Sequence, residues 1–84
     1  MAEMNKFTDW REHITADPAV LVGKPVIKGT RLAVEFILEL LANGWTHEQI
    51  LSNYPRVTTD DIRACLAYAK EALQNERVFP LTQA

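Results

Sequence analysis

The sequence holds only one cysteine, two histidines and three glycines in 84 residues. Cys65 therefore has no intrachain partner, which excludes a disulfide framework and makes a reducing cytoplasm the expected compartment. The histidines, His13 and His47, stand at no metal-ligand spacing from Cys65 or from an acid pair, so neither metal nor cofactor is expected. No apolar run approaches the roughly 20 residues that cross a bilayer, and no membrane contact is expected. Met1 to Trp10, with Glu3, Lys6 and Asp9, does not read as a signal peptide. Positive charge is also scarce. A formal net charge of −2 removes any bulk footprint for nucleic acid, so such binding requires a local patch.

What is present suits one folded domain: 48% of the residues are apolar and 24% charged. Residues 1–13 show no period and read as a mobile or partner-dependent arm. From Ile14 to Ile27, Pro18 and Pro25 exclude a continuous helix, and the β-branched residues favour short strands. A first helix is expected from Leu32 to Asn43, stopped by Asn43-Gly44. A second starts at Thr46, where Thr46-x-x-Gln49 has the capping-box pattern, and ends by Tyr54 ahead of Pro55. The third starts at Thr58 or Thr59 and runs to Asn75, with Ile62, Leu66, Ala69 and Leu73 as its inward stripe. The domain thus spans residues 14–75, and residues 76–84 form a tail. The fold expected is mainly α, three helices preceded by short strands.

Enzymatic readings fail one after another. Gly23-Lys24-Pro25 lacks the spacing of a phosphate loop, and a proline follows its lysine. Asp60-Asp61 and Glu35/Glu39 read as first-turn acids favoured by the helix dipole and as a solvated helix face. Cys65, beside Ile62, Leu66 and Ala69, reads as a buried structural thiol. No catalytic constellation assembles, and no enzyme is expected.

The cations are more informative. Lys24, Lys28 and Arg31 form a basic ribbon on extended backbone, with no acid between Asp17 and Glu35, and suit phosphate contacts. The second and third helices, joined through Tyr54-Pro55-Arg56-Val57, have the spacing of a helix-turn-helix. In that arrangement Arg56, Thr58, Thr59 and Arg63 would meet DNA. A hairpin used only for packing fits the same spacing. The first helix shows a polar stripe of Glu35, Glu39 and Asn43 only, so it is either central to the fold or shared with a second copy. A homodimer is expected to bury Val34, Phe36 and Leu40.

Asp17-Pro18, Gly23-Lys24-Pro25-Val26-Ile27-Lys28-Gly29-Thr30-Arg31-Leu32, Ile37-Leu38 and Leu41-Ala42-x-Gly44 together resemble one bacterial and archaeal family. Glu48-Gln49-Ile50-Leu51-x-x-Tyr54-Pro55 and Ile62-Arg63-Ala64-Cys65-Leu66-Ala67-Tyr68-Ala69 extend the likeness from Ile14 to Ala69. The family is domain-of-unknown-function family four-three-three, commonly regarded as VapB-like antitoxins. Leu21-Val22 and Cys65 depart from its usual residues in small ways. The resemblance implies a homeodomain-like helix-turn-helix fold and the antitoxin half of a type II toxin–antitoxin pair. Such a protein neutralises a PIN-like ribonuclease toxin and binds its own promoter DNA in autoregulation. In the tail, Arg77, Val78, Phe79 and Leu81 are the residues expected to dock on the toxin, with the cation reaching the acidic carboxylates of a PIN-like active site. The rival expectation is a protein-interaction adaptor that never touches DNA.

Overall fold

The computed structural model describes residues 9–75. Two short strands, β1 (Ile14–Ala16) and β2 (Pro25–Ile27), precede three helices, α1 (Val34–Ala42), α2 (His47–Asn53) and α3 (Thr59–Asn75). The strands pair antiparallel with Ile14 opposite Ile27, Thr15 opposite Val26 and Ala16 opposite Pro25. Side chains alternate across a strand, so Ile14 and Ile27 enter the helical core while Thr15 and Val26 face the other way. Pro25 stands first in its strand, where a missing N–H is tolerated. After β2, Gly29 takes φ +80° and bends the chain back. Thr30 locks the bend: its hydroxyl donates to the Ile27 carbonyl at 2.8 Å and accepts from the Leu32 N–H at 2.9 Å.

Each helix boundary has a local cause. α1 starts two residues later than expected, because Thr30 and the pairing of Val26 with Ala33 keep the chain extended. It stops where Gly44, at φ +93°, donates to the Leu41 carbonyl and Trp45 donates to that of Leu40. That is the Schellman pattern, which satisfies carbonyls a helix end leaves open. α2 carries the reciprocal capping box expected at Thr46 and Gln49. α3 has a second box that the sequence reading passed over, in which the Asp61 N–H donates to the Thr58 hydroxyl and the Thr58 N–H to the Asp61 carboxylate, both at 3.0 Å.

The core joins Ile14, Ile27, Val34, Ile37, Leu40, Ile50, Val57, Ile62, Ala64 and Cys65. α1 is central to it, packing on both β2 and α3. Val34 and Leu40, expected at a dimer interface, are instead 2% and 8% exposed within one chain. Phe36, the third residue expected there, is half-buried and meets Tyr54 edge-on with ring centroids 5.6 Å apart. The apolar arc that suggested a second copy is largely covered by β2, α3 and the ring of Tyr54.

The expected stripe on α3 also needs correction. Ile62 is fully buried, but Leu66 and Leu73 are 45% and 61% exposed. The buried face runs through Asp61, Ile62, Ala64 and Cys65, and Leu66, one residue past Cys65, is turned away from it by the pitch of the helix. Its later turns are met instead by residues 9–13, which were expected in the mobile arm. Asp9 caps a tight turn over Trp10–Glu12. Trp10 then packs edge-on against Tyr68 at 4.9 Å and donates its indole N–H to Glu71. Arg11 reaches the same carboxylate at 3.3 Å.

His13 closes this arrangement. Its Nδ1 lies 2.9 Å from Asp61 Oδ1, while its backbone carbonyl accepts from the Lys28 N–H at 2.8 Å. Asp61, 9% exposed, thus bonds both the entry of α3 and the strand hairpin. Replacing a buried acceptor with two partners costs roughly 2 kcal/mol. Asp61→Ala should therefore lower the thermal midpoint by about 10 °C, whereas exposed Asp60→Ala should cost no more than about 0.5 kcal/mol. Equal midpoints for the two variants in a melting experiment would remove Asp61 from this role.

Candidate functional site

The Gly29–Thr30 bend faces the α2–α3 turn across an open groove of about 770 Å³. Its lining is mainly apolar, from Val20, Val26, Leu32, Tyr54 and Pro55, with Arg31, Arg56 and Asp17 as the charged members. The strand hairpin supplies one wall. Asp17 turns the chain after β1 by accepting from the Ala19 N–H at 2.9 Å, an aspartate turn of the kind expected beside Pro18. The other wall is the turn after α2, where Tyr54 ends the helix ahead of Pro55. Arg56 ties the walls together by donating from Nη1 to the Gly29 carbonyl at 2.8 Å.

The wall near Val20 is strained. Leu21 and Val22 adopt φ +49° and +58°, followed by Gly23 at +82°. Left-handed backbone costs a side-chain-bearing residue roughly 1–2 kcal/mol, and two in succession, one β-branched, is unusual. Val22 is 92% exposed, so its side chain gains no burial in this chain.

The cations proposed from sequence fall into distinct settings. Lys28, Arg31 and Arg56 are exposed around the Gly29 bend, so ribbon and turn form one surface. Lys24 is exposed too, but its ammonium pairs with Glu35 at 2.8 Å, which offsets its charge. Arg63 and Thr59 are exposed one turn apart on α3. Thr58 belongs to the capping box, so its hydroxyl is already engaged by the Asp61 N–H. It positions α3 and is a poor reader of bases. Arg77, Val78, Phe79 and Leu81 lie outside the described residues. The sequence reading saw the ribbon and the turn separately and missed the groove between them. It also missed His13–Asp61 and Trp10–Glu71, which join positions far apart in the chain, and the Thr58–Asp61 box, although Thr58-x-x-Asp61 carries its capping pattern.

Comparison with known proteins places these features in a family. Residues 14–69 match the family model described as "Protein of unknown function (DUF433)". An uncharacterized protein, y4eO, of Sinorhizobium fredii is 35% identical over 60 residues, covering 71% of this chain and 27% of that protein. The chain thus spans about a quarter of that relative's length. The crystal structure of a DUF433 member from Anabaena variabilis superposes with a TM-score of 0.68 at 28% identity. The likeness covers 73% of this chain and 60% of that one.

Cys65, as expected, is a buried thiol. Burial first, and the neighbouring Asp61 carboxylate second, push it from its ordinary 9.0 up to about 12. The folded state therefore holds a proton that the unfolded chain releases. The stabilisation this gives is complete below pH 9 and is lost as pH rises from about 9 towards 12. At pH 8 the native protein should resist iodoacetamide while the urea-unfolded chain is alkylated. Mass spectra showing rapid labelling of the folded chain would contradict the burial.

Proposed function

We propose that this chain, which belongs to the DUF433 family, is the DNA-binding antitoxin of a type II toxin–antitoxin pair. On this reading it works in a reducing cytoplasm, neutralises a PIN-like ribonuclease toxin and represses its own promoter. One observation carries the DNA half. The bond from Arg56 to Gly29 makes the cations of the strand hairpin and those of the helix turn contiguous, beside the first turns of α3. Phosphate contacts from Lys28, Arg31 and Arg56 would set register on the duplex. Thr59 and Arg63, exposed on the following helix, would reach base edges. Lys24 contributes once its exposed pair with Glu35 exchanges for phosphate. Because the net charge is −2, affinity depends on this patch and falls steeply with salt.

The toxin half rests on the tail: an arginine, Arg77, next to Val78, Phe79 and Leu81, suits docking on an acidic active site. The adaptor reading has one observation on its side, the exposed Leu66 and Leu73 of α3, which offer an apolar strip to a protein partner or a second copy. Electrophoretic shifts on the upstream DNA at low salt separate these readings.

Lys28→Ala and Arg31→Ala should each weaken binding to all DNA sequences alike and reduce the salt slope by roughly 1 per chain. Arg63→Ala should instead alter the preference among sequences. If the Lys28/Arg31 double variant matches wild type at every salt concentration, the basic ribbon is not a DNA surface. Removal of residues 76–84 should abolish toxin inhibition and spare DNA binding; full inhibition by the truncated chain would move the toxin contact to another surface.

A further inference from the structure

We propose that the groove between the Gly29–Thr30 bend and the α2–α3 turn binds a small monoanion with an apolar body, of the fatty-carboxylate class. Its volume of about 770 Å³ suits such a ligand, since small-molecule sites run from roughly 300 to 1,000 Å³. Val20, Leu32, Tyr54 and Pro55 supply surface for an apolar chain. A DNA backbone, with a phosphate at every sugar, has no apolar chain to lay along that lining.

Charge selects the head group. Arg31 and Arg56 face a single carboxylate, Asp17, one of whose oxygens already accepts from the Ala19 N–H at 2.9 Å. Among the residues that line the groove the surplus is one positive charge, matched by one anionic head. A guanidinium has five donors, and only Nη1 of Arg56 is given to the Gly29 carbonyl. The strained wall points the same way. The left-handed pair Leu21-Val22 adjoins Val20, and with Val22 92% exposed its strain has no compensation in the packing of that side chain. Backbone strain of this kind gathers at ligand clamps. Since Arg31 and Arg56 also belong to the proposed phosphate surface, head-group binding and DNA binding exclude one another. That coupling alone rests on the DNA reading.

The test is an amide-shift NMR titration of the full chain, without DNA, using decanoate, decanol and inorganic phosphate as probes. Decanoate should saturate one site and move the amides of Thr30, Arg31, Leu32 and Asn53. Decanol and phosphate should each bind at least about tenfold more weakly, because each lacks half of the recognised chemistry. Arg31→Gln, at an exposed position, should weaken decanoate about tenfold with an unchanged fold, and Lys70→Gln should not. Equal binding of decanol, equal binding of phosphate, shifts centred on Leu66 and Leu73, or no saturation would each overturn the proposal. None of these outcomes depends on whether the protein binds DNA. In a separate anisotropy assay, with labelled DNA at each protein's own half-saturation, decanoate should release it from wild type at about tenfold lower concentration than from Arg31→Gln; failure of decanoate to release DNA there alone rejects the coupling and leaves the site.

Discussion

The carboxylate of Asp61 holds the architecture together. One oxygen accepts the Thr58 N–H that opens α3, and the other meets the imidazole of His13. His13 in turn gives its carbonyl to Lys28, at the end of β2. Strands of three residues are too short to fix themselves. Their position on the helices comes from the Ile14–Ile27 pair inside the core and from this polar link at its edge. A buried carboxylate is tolerable only when such partners replace its water. The same group adds to the electrostatic penalty on ionising Cys65, so one residue sets both a boundary and a neighbour's chemistry.

The functional surface follows from that docking. With β1 set against α3 and β2 against α1, the bend at Gly29 falls where Arg56 can reach it, and cations distant in sequence become neighbours. The groove is a consequence: it is the gap left between a two-stranded hairpin, which cannot wrap a helix, and the turn that Pro55 forces after α2. All of its lining, from Thr15 to Arg56, lies within residues 14–69, which match the family model. The matched range thus takes in this surface as well as the core.

Local chemistry was readable from the sequence wherever neighbours in the chain decide the outcome. The stop at Asn43-Gly44, the box at Thr46 and Gln49 and the start of α3 all depend on interactions within a few residues. Long-range choices were not readable. Leu66 and Leu73 have the right spacing for an inward stripe, yet periodicity alone does not say which face of α3 its neighbours cover, and they cover the one through Ile62, Cys65 and Tyr68. Val34 and Leu40 are apolar on a nearly all-apolar helix, and periodicity cannot distinguish coverage by the same chain from coverage by another. Trp10 sits in text without a period, and its place on α3 is decided by Tyr68 and Glu71 far along the sequence. Of the candidate site, residue identities were legible and their convergence was not.

The two tryptophans pack against different parts of this architecture. Trp10 is held against Tyr68 and Glu71, far along α3, whereas Trp45 follows α1 and lies 6.5 Å from the ring of Tyr54, a groove residue. A nearby carboxylate and a nearby phenol perturb indole emission differently, so the protein carries two native fluorophores in unlike surroundings. Each chromophore observes one event: Trp10 the seating of the N-terminal turn on α3, Trp45 the closure of the corner between α1 and α2. Chains retaining a single indole would therefore report separately on the N-terminal turn and on the corner between α1 and α2.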